Sequence, residues 1–400
     1  MVSKAVSLAV AQRTRAFAIP RFHGGCGRID GLGVDSLRAS RYNLDSSGTV
    51  FTAEGYCMRS VNIQDIAREA GVGKATVSRV INGKGYVSSE TAEKVRAVME
   101  KHHYQPSALA RSLSRRESDA IGLIIPEANN PFFSGLLTGV SEVMDKCGYT
   151  LILRTSGNSK ERDYKALDAM RYQRVKGLIY VPACNYEDDL DFEEMASRLN
   201  DLGGPYVILD RPINRLDCDC VLSDNFSGAY AATEALVHAG HKAIGVIAGN
   251  IQLMIGRERL EGYRKAMQQN GLTLRKPYML TGTFGQEEAY RQVTELMRQA
   301  DRPTAFFIAN NHSEIGFLNA MRDLKLKIPS DAAFVGFDEL PGQMVFELPY
   351  SCLDREVIML GAKAAQLLIR RFDEPTRPSE RLVVVPRLSL RGSEKRVFKR

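Results

Sequence analysis

From Asp119 onward, short apolar runs alternate with amphipathic stretches, and no other feature of the chain restricts its fold so strongly. The runs are Ile121–Pro126, Tyr149–Thr155, Val175–Val181, Tyr206–Asp210, Lys242–Ala248, Tyr278–Phe284, Thr304–Ala309 and Ala332–Phe337. Helical stretches such as Gly135–Cys147 and Ser227–Ala239 separate most of them. Alternation at this spacing predicts parallel strands with helices on both faces of the sheet. So many strands over such a length fit two sheets better than one, which places the body in the α/β class.

The N-terminal quarter has a different character. Residues 1–57 carry 7 Lys+Arg against 4 Asp+Glu, residues 58–118 carry 11 against 6, and the remaining 282 carry 36 against 37. A near-neutral body therefore bears a basic head, which points to an anionic partner, with nucleic acid first. Hydrophobic content of 44% and charged content of 25% are those of an ordinary globular chain. No apolar run approaches the ~18 residues that span a bilayer. The seven cysteines are scattered, and only Cys218 and Cys220 lie close together. That usage reads as reduced thiols in a cytoplasm, with no disulfide framework and no zinc set.

Residues 1–57 carry little signal. The run Val6–Val10 is too short for the core of a secretion signal. Gly24, Gly25, Gly27, Gly31 and Gly33 miss the Gly-x-Gly-x-x-Gly spacing of a dinucleotide site. Met58 immediately precedes the first well-patterned segment, so either it is the natural start or residues 1–57 form a mobile or disordered extension.

From Val61 the pattern is helical. Ile63, Ile66, Ala67 and Ala70 share one face, and Gly71-Val72-Gly73 breaks it. A second short helix, Lys74–Ile81, turns Val77, Val80 and Ile81 inward and stops at Asn82-Gly83. A third begins at the Ser88-Ser89-Glu90 cap and runs to about Lys101, burying Ala92, Val95, Val98 and Met99. Two short helices joined by a tight turn and followed by a third predict a helix-turn-helix. The outer side of the second helix shows Lys74, Ala75, Ser78 and Arg79, which suits base edges and phosphates in a major groove. A plain three-helix packing unit with a solvated basic face is the competing reading.

The segments Val61–Val72 and Thr76–Asn82, with Tyr104-Gln105-Pro106-Ser107-Ala108-Leu109-Ala110-Arg111-Ser112-Leu113, resemble the lactose-repressor/galactose-repressor family of transcription regulators. The resemblance covers about residues 60–392. It implies a head whose second helix reads operator bases through Lys74, Ala75 and Arg79, with Thr76, Ser78 and Asn82 beside them. Ala75 can offer only an apolar contact. It also implies a hinge helix containing Ala110, Arg111 and Leu113, whose leucine enters the minor groove and opens a base step. An ordinary linker leucine is the alternative for Leu113.

For the body, the resemblance implies two doubly wound subdomains like those of periplasmic sugar-binding proteins, crossed by the chain near Ser223, Leu353 and Arg381. A ligand would lie between them, at the carboxyl ends of the strands. The effector set carried over by position is Asn130, Phe132, Phe133, Asp210, Arg211, Arg259, Asn310 and Asp338. Amides, carboxylates and guanidiniums would take hydroxyls, and the rings would cover an apolar sugar face. Each has a plainer reading: Phe132 and Phe133 as core, Asp210 and Arg211 as a structural ion pair, Asn310 as a turn residue. A charged effector such as a sugar acid could also use Arg211 and Arg259.

The expected organisation is an extension at 1–57, a DNA-binding head at 58–104, a hinge and linker at 105–118, and an effector-binding and dimerisation body at 119–392. The body divides into 119–222 with 353–380 and 223–352 with 381–392, leaving a tail at 393–400. A cytoplasmic homodimer on a pseudo-palindromic duplex is expected, with no tetramer heptads after Gly392, no membrane partner and no cofactor or metal. Enzyme motifs are missing: there is no phosphate-binding Gly-x-x-x-x-Gly-Lys-Ser/Thr loop, no His-Glu-x-x-His and no Gly-x-Ser-x-Gly. His238 and His241 flank a helix-ending Gly240, which favours a structural turn over a metal pair. The rival readings are a periplasmic-type sugar-binding protein and a regulator responding to purines or sugar acids.

Overall fold

The computed structural model describes the strand residues 43–44, 50–51 and 57–58, and residues 61–83, 85–104, 119–340 and 350–397. The chain divides into two compact units, Met1–Pro106 and Ser107–Arg400.

In the first unit, β1 (Asn43–Leu44), β2 (Val50–Phe51) and β3 (Cys57–Met58) pair antiparallel. Met58 lies in the last of these strands. Val50 and Phe51 are good strand formers. The head consists of α1 (Ile63–Glu69), α2 (Lys74–Asn82) and α3 (Ser89–Lys101). Asn62 starts α1 with a reciprocal box: its Oδ1 accepts from the Gln64 N–H at 2.8 Å, and the Asp65 carboxylate accepts from the Asn62 N–H at 3.0 Å. Gly83 ends α2 at φ 62°, a left-handed position that glycine adopts without strain. Ile66, Ala67, Val77 and Val95 form the small core at which the three helices meet.

The second unit has two lobes. The first lobe's sheet runs β14-β8-β7-β6-β4-β5 and is parallel throughout. Its strands are β4 (Ala120–Ile125), β5 (Thr150–Thr155), β6 (Gly177–Tyr180), β7 (Tyr206–Leu209), β8 (Asp219–Ser223) and β14 (Arg381–Val384). The second lobe's sheet runs β10-β9-β11-β12-β13-β15. It comprises β9 (Ile244–Gly249), β10 (Met279–Thr281), β11 (Ala305–Ile308), β12 (Ala333–Gly336), β13 (Cys352–Asp354) and β15 (Arg387–Ser389). Only β15 runs antiparallel, against β13. Each sheet has an apolar core on both faces, as a doubly wound sheet requires.

The helices of the first lobe are α4 (Pro131–Lys146), α5 (Lys160–Tyr172), α6 (Asp189–Asn200) and α11 (Val357–Asp373). Those of the second are α7 (Asn225–His238), α8 (Met254–Gln269), α9 (Gln286–Met297) and α10 (Asn311–Asp323). α4 and α11 cross at two glycines. A Cβ on Gly139 would lie 1.9 Å from the Ile358 carbonyl oxygen, and one on Gly361 would lie 2.2 Å from that of Leu136. Both obstacles are backbone, so no rotamer change relieves them. Gly139→Ala is expected to cost ~1–3 kcal/mol or more by overpacking. A urea unfolding midpoint equal to that of the unsubstituted protein would show that the crossing is not closely packed.

The chain passes between lobes after β8, after β13 and between β14 and β15. The crossing expected near Arg381 therefore falls beyond Val384, because Arg381–Val384 pairs with Cys220–Ser223 in the first sheet. Leu353 likewise pairs within the second sheet and does not start the return to the first. At the start of the expected tail, Ser393 and Glu394 are buried, the Phe334 N–H donates to the Ser393 carbonyl at 2.8 Å, and the Ser351 hydroxyl donates to the Glu394 carboxylate. No helix of the described residues is long and apolar enough to cross a membrane.

Candidate functional site

The head presents one basic face. On α2, Val77 is buried, whereas Lys74, Ala75 and Arg79 are exposed, and Thr76 and Ser78 are partly so. Lys74 and Arg79 form no ion pair among the described residues, so their charges stay available to a partner. Asn82 is the last residue of α2. Ala110, Arg111 and Leu113 lie outside the described residues.

In the second unit, all eight candidate residues, Asn130, Phe132, Phe133, Asp210, Arg211, Arg259, Asn310 and Asp338, line one cavity between the lobes. The fold explains the convergence, since most of them follow the carboxyl end of a strand. Asn130 follows β4 and caps α4, its Oδ1 accepting from the Phe132 N–H at 3.0 Å. Asp210 and Arg211 follow β7, where Asp210 takes φ 64° and the Arg211 N–H donates to the Leu209 carbonyl at 2.7 Å. Asp tolerates this left-handed position better than most residues, and the turn redirects the chain at the strand end. Asn310 follows β11 and Asp338 follows β12. Arg259 reaches the cavity from within α8.

Sequence reasoning missed the residue that ties the site together. Arg355, on the crossing from β13 to α11, is 3% exposed. Its Nε donates to Asp338 Oδ1 at 2.7 Å, and a terminal nitrogen donates to Asp210 Oδ1 at 3.2 Å. One guanidinium thus joins a carboxylate of the first lobe to one of the second. It also lies over the Phe132 ring at 3.7 Å and the Phe337 ring at 5.1 Å. The ion pair that was the plainer alternative for Asp210 and Arg211 is not found among the described residues. Asp210 turns to Arg355, while Arg211 donates to Asn158 Oδ1 at 2.8 Å and to the Pro182 carbonyl at 3.1 Å. Asp338, expected as a ligand carboxylate, has one oxygen committed to Arg355.

The aromatic rings are also more occupied than expected. Phe132 and Phe133 meet edge to face at 5.2 Å and 64° and belong to the first lobe's core as well as to the cavity wall. Guanidiniums cover their faces, Arg355 over Phe132 and Arg211 over Phe133. Arg259 stacks on Phe337 at 3.7 Å, donates to Asn225 Oδ1 at 2.9 Å and donates to the Ala309 carbonyl at 2.5 Å. Burial, with repulsion from Arg355 second, pushes the Arg259 guanidinium down to about 9. Burial also lowers Arg211. Glu127, another missed lining residue, sits below the usual carboxylate range chiefly through its contact with His312 of the second lobe, at 3.3 Å. At the lip, Asn185 donates to the Gln252 carbonyl at 2.6 Å, and Arg257 pairs with Glu187.

These contacts hold the lobes close. The cavity measures about 40 Å³, room for a few waters and not for a sugar ring. A wider apolar depression of about 900 Å³ adjoins it, with Leu340, Leu353, Val357 and Met359 in its wall. Phe132, Asp338 and Arg355 border both spaces. The smaller cavity is the stronger candidate, because polar groups from both lobes converge there. Elsewhere, His241 makes structural contacts, its ring nitrogens meeting Thr304 Oγ1 at 2.9 Å and the Glu394 carbonyl at 3.2 Å.

Residues 118–386 match the family described as periplasmic binding proteins and sugar binding domain of LacI family, and residues 62–107 match that described as bacterial regulatory proteins, lacI family. The ribose operon repressor of Haemophilus influenzae is 33% identical over 332 residues, covering 83% of this chain and 98% of that protein. The HTH-type transcriptional repressor PurR of Haemophilus influenzae strain PittEE is 31% identical over 339 residues, covering 84% and 99%. Among solved structures, a complex of the transcriptional regulator CelR with cellobiose superposes with a TM-score of 0.62 at 28% identity, covering 83% of this chain and 99% of that one.

Proposed function

This chain belongs to the LacI family of bacterial regulatory proteins, and on that premise we propose that it is a DNA-binding transcriptional repressor governed by a small polyhydroxyl effector held between its lobes. The observation that carries the reading is the convergence of groups from both lobes on one cavity, where a ligand bonded to both sides must bias their closure. Three rings, Phe132, Phe133 and Phe284, stand in its wall beside amides, carboxylates and guanidiniums, a set that suits the apolar face and the hydroxyls of a polyol.

In this reading Lys74, Ala75 and Arg79 meet base edges. Thr76, Ser78, Asn82, Ala110 and Arg111 position the duplex, and Leu113 enters the minor groove. A homodimer presents two heads to a pseudo-palindromic operator in the bacterial cytoplasm. Effector and operator affinities are coupled by ~1–3 kcal/mol.

Gel shift against a palindromic fragment upstream of the protein's own gene tests the reading. The full chain is expected to bind it over a scrambled duplex of the same length. Arg79→Ala should cost ~1–3 kcal/mol and relax base preference at one position of each half-site. Absence of any preference for the palindrome would sink the regulator reading. A uniform loss across sequences in the variant would move Arg79 to the phosphate-contacting class.

A further inference from the structure

Helix α8 lacks the usual means of starting itself. Its cap residue is Leu253, which offers no side-chain acceptor, and no acid stands in its first turn, where Arg257 adds a cation instead. The first N–H groups of a helix have no partner within it, and a cation is unfavourable at that end. The missing groups come from the opposite lobe. Asn185 Oδ1 accepts from the Met254 N–H at 2.9 Å, while its amide nitrogen donates to the Gln252 carbonyl. Glu187 pairs with Arg257 and so brings a carboxylate to the helix start.

The loop that carries Asn185 is fixed from behind. Asp163, on α5, is fully buried. Its Oδ2 accepts from the Tyr180 hydroxyl at 2.6 Å, the Ala183 N–H at 2.6 Å and the Tyr186 hydroxyl at 2.9 Å. Tyr186 takes φ 52°, a left-handed position that so bulky a residue holds only where its surroundings dictate it. That turn lies between Asn185 and Glu187, and both reach the start of α8. We infer that Asn185, with Glu187 beside it, is the N-terminal cap of α8 supplied across the cleft, so that closing the lobes and ordering the first turn of α8 are one event. Ile255 and Arg259 of the same helix stand in the cavity wall, whereas Asn185, Glu187 and Arg257 are not among the described residues that line it. Asn185 is therefore a positioning residue, setting the second lobe's side of the cavity from outside it.

Hydrogen–deuterium exchange of the full chain, read by mass spectrometry, tests the cap. It needs no effector, so its outcome is separate from that of the effector reading above. In peptides spanning residues 250–258, Asn185→Ala is expected to speed exchange at the Met254 N–H about fivefold, the worth of one N-cap. Peptides of α9, in the same lobe, should keep the parent rate. Asn185→Asp should restore most of the protection, because a carboxylate oxygen accepts from the same N–H and Arg257 remains beside the Gln252 carbonyl. Arg355→Met leaves Asn185 in place and loosens the lobes from the cavity side. It should speed the same amide beyond any change in α9, which a contact confined to the two loops would not do. A parent rate in Asn185→Ala overturns the cap, as does an Asn185→Asp variant as fast as Asn185→Ala. Acceleration in Asn185→Ala with none in Arg355→Met overturns the link to closure, and so does equal acceleration of α8 and α9.

Discussion

Arg355→Met is expected to lower the stability of the protein by about 3–5 kcal/mol, the usual cost of leaving a buried charge without its partner. The guanidinium sits between Asp210 and Asp338, which are 3% and 4% exposed. Methionine fills much of the same volume and keeps an apolar contact with the Phe132 ring, so the loss is electrostatic and not a packing void. Two carboxylates on opposite lobes would then face one cavity without the cation between them. They can respond by drawing the lobes apart to admit water. Adding Asp338→Asn to Arg355→Met should recover part of the loss by removing one stranded charge. Urea unfolding of the three proteins at neutral pH checks this. A loss below about 1 kcal/mol, the range of an exposed pair, would show that Arg355 does not bridge the lobes in solution.

Why Arg355 escaped sequence reading is instructive, because its neighbours did not. The head was legible residue by residue: Ile66, Ala67 and Val77 fall at helical spacing and are the residues buried at its centre. The central strands were legible because Ile121–Ile125, Tyr206–Leu209 and Ala305–Ile308 are apolar on both faces, as interior parallel strands must be. The missed strands break that rule. Asp219 opens β8 with a charge that Arg371 neutralises at 2.8 Å from a helix 152 positions further along the chain. β13 is three residues long, and Pro386 separates β14 from β15. None of these announces a strand locally, since each is stabilised by a partner far away in sequence. The candidate cavity residues could be carried over by position, but the way they pair could not. Arg355 lies on one of those short crossings, and its two aspartates come from different lobes, 145 and 17 positions away. Only the closed arrangement of the lobes brings the three together.

Glu314→Gln is expected to remove a large part of the pH dependence of stability between pH 4.5 and pH 8. Glu314 lies on α10, fully buried, and burial pushes its carboxyl from 4.5 up to about 8. Its Oε1 accepts from the Phe337 N–H at 2.9 Å, and its other oxygen meets the Tyr350 hydroxyl. That hydroxyl also lies 3.1 Å from the Asp338 carbonyl. With Glu314 ionised, Tyr350 has one proton for two acceptors. With Glu314 protonated, the acid donates to Tyr350 and Tyr350 donates to Asp338, so every contact is satisfied. The folded chain therefore keeps a proton that the unfolded chain releases above pH 4.5. Its stabilisation is fully present below that pH, declines at roughly 1.4 kcal/mol per pH unit, and is lost once pH passes about 8. Glutamine supplies the same acceptor to Phe337 and a permanent donor to Tyr350. The variant should match the parent near pH 5 and exceed it by a few kcal/mol at pH 8.5. Asp163, another buried acid with a raised pKa, contributes in the same direction to both proteins, so the difference between the two pH profiles isolates Glu314. Parallel profiles would show that Glu314 is ionised in the folded state. The consequence reaches the cleft, because the backbone that Glu314 and Tyr350 hold is the turn carrying Asp338. Above pH 8 the parent should lose the Tyr350 bond to the Asp338 carbonyl while Glu314→Gln retains it, so effector affinity should fall with rising pH in the first protein and not in the second.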